Sequence, residues 1–303
     1  MPELPEVETI VRMCRPQLAG RRVVRFVGAV AKQAHPNVSA VRHGIVGKRI
    51  RRVWRRGKYI VIDLEGPACR SGRRPRRRPN QRPAGHLLIH LGMSGRLDWA
   101  GEHEHDPHHV RAYFDLDDGD RLLFRDARMF GKIIYAPRVE AVIGHLGVEP
   151  LGRHFTVERL ARLLRGRSRQ LKPLLLDQSV IAGLGNIYAD EVLFAAGLHP
   201  LTRCDRLDDR QLRRLWRAIR RVLRQAIRYK GTSFDAVYQG GQMRRRLKVY
   251  GRGGQPCRRC GTPIVALRVA QRGTHVCPRC QPLQAAVRDR ATEPGRPRPG
   301  RRP

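Results

Sequence analysis

The chain has 303 residues, with 62 Lys and Arg against 26 Asp and Glu, and its formal net charge at pH 7 is +36. This length is enough for two domains with cores of their own. So large a charge favours a polyanionic partner over a surface that is merely arginine-rich. The sequence has no apolar run long enough to span a membrane and no secretory leader, so we expect a cytoplasmic protein.

A helix is the first element that the sequence predicts. Apolar residues recur at helical spacing from Leu4 to Leu18, and Gly20 follows as a stop signal. From 21 to 136 the pattern changes to short β-type runs between turns that contain Gly and Asp, which indicates a sandwich or a barrel. Examples of the predicted strands are Arg22–Val27, Tyr59–Leu64, His86–Leu91, Val110–Leu116, Arg121–Phe124 and Lys132–Tyr135.

Two segments are rich in Arg and Pro. Residues 67–84 contain seven Arg and no acid, and we predict a disordered surface insertion there. Residues 282–303 contain six Arg and two acids, and we predict a disordered basic tail. Most of the net charge therefore lies on the rest of the chain, which is itself strongly basic.

After Pro137 the periodicity becomes helical. Its clearest stretch is 210–228, where apolar side chains from Leu212 to Ile227 form one stripe and several arginines lie off that stripe. We therefore divide the chain into an N-terminal β-domain (1–137), a helical domain (138–245), a four-cysteine segment (246–281) and the tail (282–303).

Four cysteines form two pairs near the end of the chain, Cys257-x-x-Cys260 and Cys277-x-x-Cys280. Two such knuckles can place four thiolates tetrahedrally around one Zn²⁺ ion. The alternative is a pair of disulfides, which a cytosolic location disfavours. Because a hairpin this short cannot form a core alone, we expect one structural zinc ion to stabilise it.

A second motif, Gly183-Leu184-Gly185-Asn186, precedes an apolar helical segment that starts near Ile187. It lacks the third glycine and the leading strand of a dinucleotide-binding fingerprint. Two interpretations stay open, and they are compatible. Asn186 caps the helix, or the helix start and Asn186 bind a phosphate.

The N-terminus carries the most specific chemistry. Acids and prolines suit a helix start, but this does not explain a proline at position 2. Removal of Met1 would leave Pro2 as a free secondary amine, which is partly neutral at physiological pH. Such an amine can attack C1′ of a deoxyribose, displace the base and form an iminium, and the adjacent Glu3 could move the protons involved.

The heptapeptide from Pro2 to Glu8 resembles the N-terminus of bacterial formamidopyrimidine-DNA glycosylases. Further matches follow in chain order to about residue 281: His90–Gly95, Gly185–Ala189, Val249–Arg252 and the four cysteines. The related endonuclease VIII group, which prefers oxidised pyrimidines, has Gly at the position of Leu4. The resemblance implies an α+β fold of several domains. These are an N-terminal helix with a two-sheet β-sandwich, then a helix–two-turns–helix domain and a zinc-finger hairpin.

The resemblance also implies roles for single residues. Pro2 is the expected Schiff-base nucleophile, Glu3 its acid–base partner, and Lys58 the lysine that assists β-elimination. Lys58 is one of only seven lysines in a chain that otherwise uses arginine, which fits a site where the cation must lose its proton. Arg272 matches the zinc-finger arginine linked to phosphate binding and δ-elimination.

The expected DNA contacts follow in the same way. Asn186 matches a phosphate ligand, and His109 and Lys172 match DNA-contacting positions. Met93, Arg128 and Phe130 match the residues that fill the gap left by a flipped base, which offsets the cost of unstacking; ordinary core packing is the alternative for Met93 and Phe130. Glu191 resembles a family position, although a simple surface carboxylate is an equal alternative.

The chain departs from the family in three places. In Asp126–Gly131 a family Pro and one Arg are lost, Ser168 replaces a family lysine, and the base-capping loop after Gln239 is short and lacks Gly-Tyr-Phe. We expect a monomeric glycosylase and lyase that removes oxidised purines from duplex DNA and cuts the strand by β- and δ-elimination. The alternatives are the same chemistry on oxidised pyrimidines, or a DNA-binding zinc-finger protein without activity.

Overall fold

The structure is a computed structural model that describes residues 2–28, 30–65, 83–100, 109–232 and 241–283. All but the last two residues of the predicted insertion at 67–84 lie outside these ranges, as does the predicted tail from 284 onwards. None of the described helices combines the length and hydropathy that a membrane span requires.

The N-terminal half is a β-sandwich preceded by a helix, as predicted. Its elements are α1 (Leu4–Leu18), β1 (Val23–Gly28), β2 (Ala34–His35), α2 (Val38–Ile45), β3 (Arg49–Arg56), β4 (Tyr59–Glu65), β5 (Gly85–His90), β6 (Gly95–Trp99), β7 (Val110–Leu116), β8 (Arg121–Asp126) and β9 (Lys132–Ala136). One sheet has the strand order β1-β7-β8-β6, and the other has β2-β9-β5-β4-β3. All strand pairs are antiparallel except β2 with β9.

The five-stranded sheet is buried on both faces, and the period-two alternation of its strands separates two cores. Ile60 and Ile62 of β4 point into the core that this sheet shares with the other sheet and α1. Val61 points the opposite way and packs with Leu146 and Ala182, which follow the sandwich in the chain. Strand β4 therefore ties the sandwich to the helical half.

Four N-terminal elements are not among the predicted ones, namely α2, β2, β3 and β6. In β3 a β-bulge between Ile50 and Arg52 interrupts the pairing register with β4. The bulge breaks the alternation on which a strand prediction depends, because one extra residue shifts every later side chain to the other face. Only Ile50 and Val53 of this arginine-rich strand are buried.

The helical half contains α3 (Glu140–Ile143), α4 (Val157–Leu164), α5 (Leu171–Leu176), α6 (Asn186–Ala196) and α7 (Asp209–Arg228). Asp208 caps α7 and forms a capping box with Gln211, which explains why the helix begins there. Its apolar stripe packs into one core with α4, α5 and α6. The chain then forms the hairpin β10 (Val265–Val269) and β11 (Arg272–Val276) between the two cysteine pairs.

Helix α1 belongs to both halves of the molecule. Leu4 lies in the core of the helical half, whereas Val7, Ile10, Val11, Cys14 and Leu18 lie in the core of the sandwich. The first residues of the chain are therefore held at the junction between the two halves.

Candidate active site

The carboxylate of Glu3 lies against the N-terminus of α6. It accepts hydrogen bonds from the backbone N–H groups of Gly185 at 2.7 Å and Ile187 at 2.8 Å, with a longer one from Tyr188 at 3.4 Å. Burial outweighs these bonds and raises the pKa of Glu3 to about 7, while the cation of Lys58 opposes the rise. Glu3 can therefore carry or release a proton near neutral pH.

The two glycines of the Gly183–Asn186 motif allow this close approach. A Cβ on Gly185 would collide with the carboxyl group of Glu3, and a Cβ on Gly183, which has φ +94°, would meet the side chain of Leu4. Glu3 occupies the N–H groups of Gly185, Ile187 and Tyr188, so these three groups are not open to a phosphate, and a phosphate contact of Asn186 stays a prediction. The capping interpretation is wrong, because the N-cap is Gly185 and Asn186 is the first helical residue.

Glu6 is a second buried carboxylate beside Glu3, and it anchors the N-terminus. One of its oxygens accepts a hydrogen bond from the backbone N–H of Glu3 at 3.0 Å. The other accepts bonds from the Tyr188 hydroxyl at 2.7 Å and from the backbone N–H of Thr232 at 2.9 Å. Helix α1, helix α6 and the end of α7 are thereby joined directly behind Pro2, whose position is buried.

Lys58 enters this cluster from a tight turn between β3 and β4. Gly57 has φ +55° and Arg56 pairs with Tyr59, so Gly57 and Lys58 form a two-residue hairpin turn. Burial lowers the pKa of Lys58, against the pull of Glu3 and Glu6, and the cation of Arg272 lowers it further. A lower pKa leaves a larger fraction of Lys58 as the neutral amine, which is the form that can accept a proton.

The turn is fixed from the helical half by Glu149. The Glu149 carboxylate accepts the Gly57 N–H at 2.9 Å and both terminal nitrogens of Arg55 at 2.9 and 2.7 Å. Arg55 also donates to the Gly57 carbonyl at 3.0 Å. Both peptide groups of Gly57 are therefore held, although the sequence analysis assigned no role to Glu149.

Arg272 lies at the tip of the β10–β11 hairpin. The two residues of the turn, Ala270 and Gln271, have φ of 46° and 60°, as a type I′ turn requires. The Arg272 side chain is exposed, yet its charge lowers the pKa of both Lys58 and Lys172. The hairpin thus presents a cation to the cluster of Glu3 and Lys58.

Lys172 was predicted to contact DNA, but the structure buries it completely beneath this hairpin. Its ammonium lies 2.6 Å from a carboxylate oxygen of Asp190. It also donates to the Thr274 hydroxyl at 2.7 Å and to the Gly273 carbonyl at 3.0 Å. A side chain with no exposed surface cannot contact a phosphate, and the contacts of Lys172 instead hold the hairpin.

Two further side chains of α6 fasten the segment that carries the hairpin. Asn186 donates from Nδ2 to the Gly273 carbonyl at 2.9 Å, and its phosphate contact stays a prediction. Glu191 is buried and accepts backbone N–H groups of three consecutive residues, Lys248, Val249 and Tyr250. The interpretation of Glu191 as a simple surface carboxylate is therefore wrong.

The three expected gap-filling residues share one edge of the sandwich. Met93 and Phe130 are 36% and 54% exposed, so they are not core residues. The Arg128 guanidinium lies 5.1 Å from the centre of the Phe130 ring. Exposed apolar side chains beside a cation are what insertion between bases requires.

Asp126 organises this edge, and the sequence analysis gave it no role. Its buried carboxylate accepts the Ser94 hydroxyl at 2.6 Å and the Gly131 N–H at 2.7 Å, and its backbone N–H donates to the carbonyl of His109. Ser94 in turn accepts the N–H of Arg128 at 3.0 Å. The loops that carry Met93, His109, Arg128 and Phe130 are therefore held together through one residue, Asp126.

His90 is a further buried residue near Lys58. Burial, with the charges of Lys58 and Lys132, lowers its pKa to about 4, so the ring is neutral at physiological pH. Its Nδ1 accepts the N–H of Gly92 at 3.1 Å, which fixes the loop leading to Met93.

The four predicted zinc ligands converge. The sulfur atoms of Cys257, Cys260, Cys277 and Cys280 all lie within 4.8 Å of one another. The distances of 4.0 Å for Cys257–Cys280 and 3.5 Å for Cys260–Cys277 are far too long for disulfides. They fit the separation of about 3.8 Å that a tetrahedral site with Zn–S bonds of about 2.3 Å demands. The residues therefore fit one structural zinc ion.

Comparison with known proteins gives the same assignment along the whole chain. The family model described as "Formamidopyrimidine-DNA glycosylase N-terminal domain" matches residues 1–133, the one described as "Formamidopyrimidine-DNA glycosylase H2TH domain" matches 146–237, and "Zinc finger found in FPG and IleRS" matches 254–283. This chain belongs to the formamidopyrimidine-DNA glycosylase family.

Relatives named formamidopyrimidine-DNA glycosylase cover nearly all of the chain. One from Symbiobacterium thermophilum is 41% identical over 100% of this chain and 95% of its own length. One from Heliobacterium modesticaldum is 42% identical over 93% of this chain and 100% of its own. Coverage at this level confirms the family resemblance of the motifs.

Solved structures agree with the fold. The Lactococcus lactis Fpg in complex with DNA containing an abasic site superposes with a TM-score of 0.82, at 30% identity over 93% of this chain and 100% of the other. The MutM (Fpg) protein from Thermus thermophilus gives a TM-score of 0.79, at 37% identity over 92% of this chain and 98% of the other. The predicted architecture of sandwich, helix–two-turns–helix domain and zinc-finger hairpin is confirmed.

Part of the expected base-capping loop lies outside the described residues. Residues 233–240, which include Gln239, are not among them. The segment from 241 to 246 is described and ends in a short 3₁₀ turn, Met243–Arg246. The consequence of the short loop for lesion choice stays a prediction.

Proposed function

We propose that this glycosylase removes oxidised purines from duplex DNA and then cuts the strand, with the amine of Pro2 as nucleophile. The observation that carries the proposal is the pairing of Glu3, whose pKa is raised to about 7, with Lys58, whose pKa is lowered, directly beside the start of the chain. A proton donor and a proton acceptor whose pKa values are shifted in opposite directions from their usual values are what acid–base catalysis needs.

In the first step the Pro2 nitrogen forms a bond to C1′ while the bond from C1′ to the damaged base breaks. The protonated fraction of Glu3 supplies the proton that opens the sugar ring or neutralises the leaving base. The Pro2 nitrogen loses its proton, and its lone pair forms the iminium with C1′ as the C1′–O4′ bond breaks and O4′ takes up a proton. This step requires that Met1 has been removed, because the nitrogen of Pro2 is otherwise part of a peptide bond.

Two eliminations follow from the iminium, which makes the hydrogens on C2′ acidic. Loss of a C2′ proton breaks the C3′–O bond, and Lys58 assists as the amine whose pKa burial lowers. A second elimination breaks the C5′–O bond with Arg272 at the phosphate. Water then hydrolyses the sugar from Pro2 and restores the free amine.

The exposed edge that carries Met93, Arg128 and Phe130, with His109 beside it, binds the DNA. Asn186, near the hairpin tip, provides a second contact. The preference for purines is supported by the names of the relatives and by the Lactococcus lactis enzyme solved with DNA containing Fapy-dG. The absence of a membrane-spanning helix among the described residues is compatible with a monomer that acts in the cytoplasm on the bacterial nucleoid.

Borohydride trapping tests the proposal. Reduction of the iminium should give a covalent complex between the chain and a duplex containing 8-oxoguanine, and Pro2→Gly should trap much less. Pro5→Ala is the matched control, because this proline is two residues into α1 and its nitrogen lies in a peptide bond. Trapping with thymine glycol but not 8-oxoguanine would establish the pyrimidine alternative. If no adduct forms with any oxidised or abasic duplex, the alternative that remains is a DNA-binding protein without activity.

A further inference from the structure

Helix α7 carries a straight stripe of cations on the side away from its buried face. The arginines recur at alternating steps of four and three residues, so they lie along one line parallel to the helix axis. All six are exposed: Arg210, Arg214, Arg217, Arg221, Arg224 and Arg228. From the first to the last the stripe is about 27 Å long. Within the described part of the chain, none of the six forms an ion pair.

Two arginines of the stripe line cavities that also border the first zinc knuckle. Arg221 lines a cavity of about 430 Å³, and Arg214 lines one of about 370 Å³. Arg259, from the knuckle between Cys257 and Cys260, lines both. The two cavities adjoin at Arg259, with α7 on one side and the knuckle on the other, and we call the pair the channel.

The cations of this channel are held in place without being neutralised. The Arg259 guanidinium lies 4.4 Å from the centre of the Phe194 ring, and that of Arg246 lies 3.8 Å from the centre of the Tyr229 ring. Arg258 donates to the carbonyl of Arg245 at 3.0 Å. The one carboxylate among the described lining residues, Glu191, is already saturated by backbone N–H groups.

The channel lies away from the catalytic cluster. Most of its α6 residues, from Phe194 to Ala196, are in the last turn of that helix, with Glu191 in the middle, whereas Glu3 is bound at the N-terminal end. Likewise, Arg259 lies at the base of the zinc-finger hairpin and Arg272 at its tip. No residue of the catalytic cluster lines either cavity.

We propose that this channel binds the phosphate backbone of a second stretch of DNA, separate from the duplex that holds the lesion. A stripe of about 27 Å spans the rise of about eight nucleotides. Arginine, used here almost to the exclusion of lysine, suits phosphate because its planar group donates two parallel hydrogen bonds. The predicted tail is excluded as occupant, since its own net charge is positive.

The test uses two variants that each lose three exposed arginines. The channel variant is Arg214→Gln, Arg221→Gln, Arg259→Gln. The matched control is Arg25→Gln, Arg42→Gln, Arg159→Gln, in which Arg25 packs on the ring of Tyr113 much as Arg259 packs on Phe194. The chain is first saturated with a short duplex that contains a non-cleavable abasic analogue. A labelled undamaged duplex is then added, and its binding is followed by anisotropy, with the stoichiometry determined by sedimentation.

We expect the wild-type chain and the control to bind the second duplex, and the channel variant to bind it at least about tenfold more weakly. The slope of log affinity against log salt should fall by about 3 for the channel variant, close to one unit for each lost phosphate contact. Single-turnover excision from a short lesion duplex should be equal in all three proteins. A single bound duplex per wild-type chain, equal affinities of the two variants, or a parallel loss of excision would overturn the proposal.

Discussion

The charged groups at the two ends of helix α6 differ in their exposure to solvent. At its N-terminus the charged groups of Glu3, Glu6 and Lys58 are buried, and the pKa values of Glu3 and Lys58 move towards neutrality. At its C-terminus the cations of α7 and the zinc knuckle stay exposed, and the stripe arginines form no ion pairs within the described ranges. Burial gives proton chemistry, whereas exposure gives a fixed charge that attracts polyanions. This contrast explains why a chain so rich in arginine places a lysine in the buried cluster.

The largest effect that would disturb this contrast is the loss of zinc, because the knuckles form one wall of the channel and also support the hairpin that carries Arg272. Structural zinc contributes about 10–16 kcal/mol to the folding of small fingers. We expect chelation, or Cys277→Ser, to unfold β10 and β11 and to abolish DNA binding, as measured by anisotropy. Cys204→Ser, at a free buried cysteine elsewhere, is the control and should bind normally. Unchanged affinity after verified metal loss would contradict the prediction.

A smaller effect is expected at the buried pair of Lys172 and Asp190. Asp190→Asn leaves a buried ammonium without its counter-charge, which costs about 3–5 kcal/mol. Urea unfolding should show this loss, and strand cleavage should slow because Arg272 is no longer held. The double change Lys172→Met with Asp190→Leu removes both charges and should recover most of the stability but not the bonds to Gly273 and Thr274. A single Asp190→Asn variant as stable as wild type would refute the role of the pair.

The pH dependence of Glu3 tests the buried end alone. Because its pKa is raised in the folded chain, its contribution to stability is complete below the unfolded pKa of 4.5 and is lost as pH rises through about 7. Relative to Glu3→Gln, the wild-type chain should therefore lose up to about 3 kcal/mol of unfolding free energy between about pH 4.5 and pH 8. Base excision that depends on the protonated acid should fall over the upper part of this range. Parallel urea midpoints of the two proteins across these pH values would show that Glu3 has an ordinary pKa.

The smallest expected effect concerns the turn that presents Lys58. Glu149→Gln keeps the shape of the side chain but weakens its charge-assisted bonds to Arg55, at a cost of about 1–2 kcal/mol. We expect strand cleavage at a pre-formed abasic site to slow by about tenfold, with little change in DNA affinity. Glu65→Gln, at the far end of β4, is the control. Equal slowing in both variants would show that Glu149 does not position the turn.

The sequence alone determined the order and type of most elements. It also indicated the chemistry expected of Pro2 and of the four cysteines. The helix from Leu4 to Leu18 and the four zinc ligands follow from local spacing, and a local pattern is visible in one dimension. Pro2 as nucleophile was suggested by chemistry and strengthened by the resemblance, and it stays a proposal. Strand β3 could not be foreseen, because a bulge and five arginines hide its alternation.

Only the tertiary structure decided how the charges are used. Glu149 and Asp190 are ordinary acids in the sequence, and each acquires its role from a partner far along the chain: the turn at Gly57 and the ammonium of Lys172. The role expected for Glu3 depends on its contact with the start of α6, which the sequence does not show. Lys172 was placed on DNA by resemblance, and the structure places it inside the protein. Burial and long-range hydrogen bonding set pKa values and positions, and neither can be read from neighbours in the sequence.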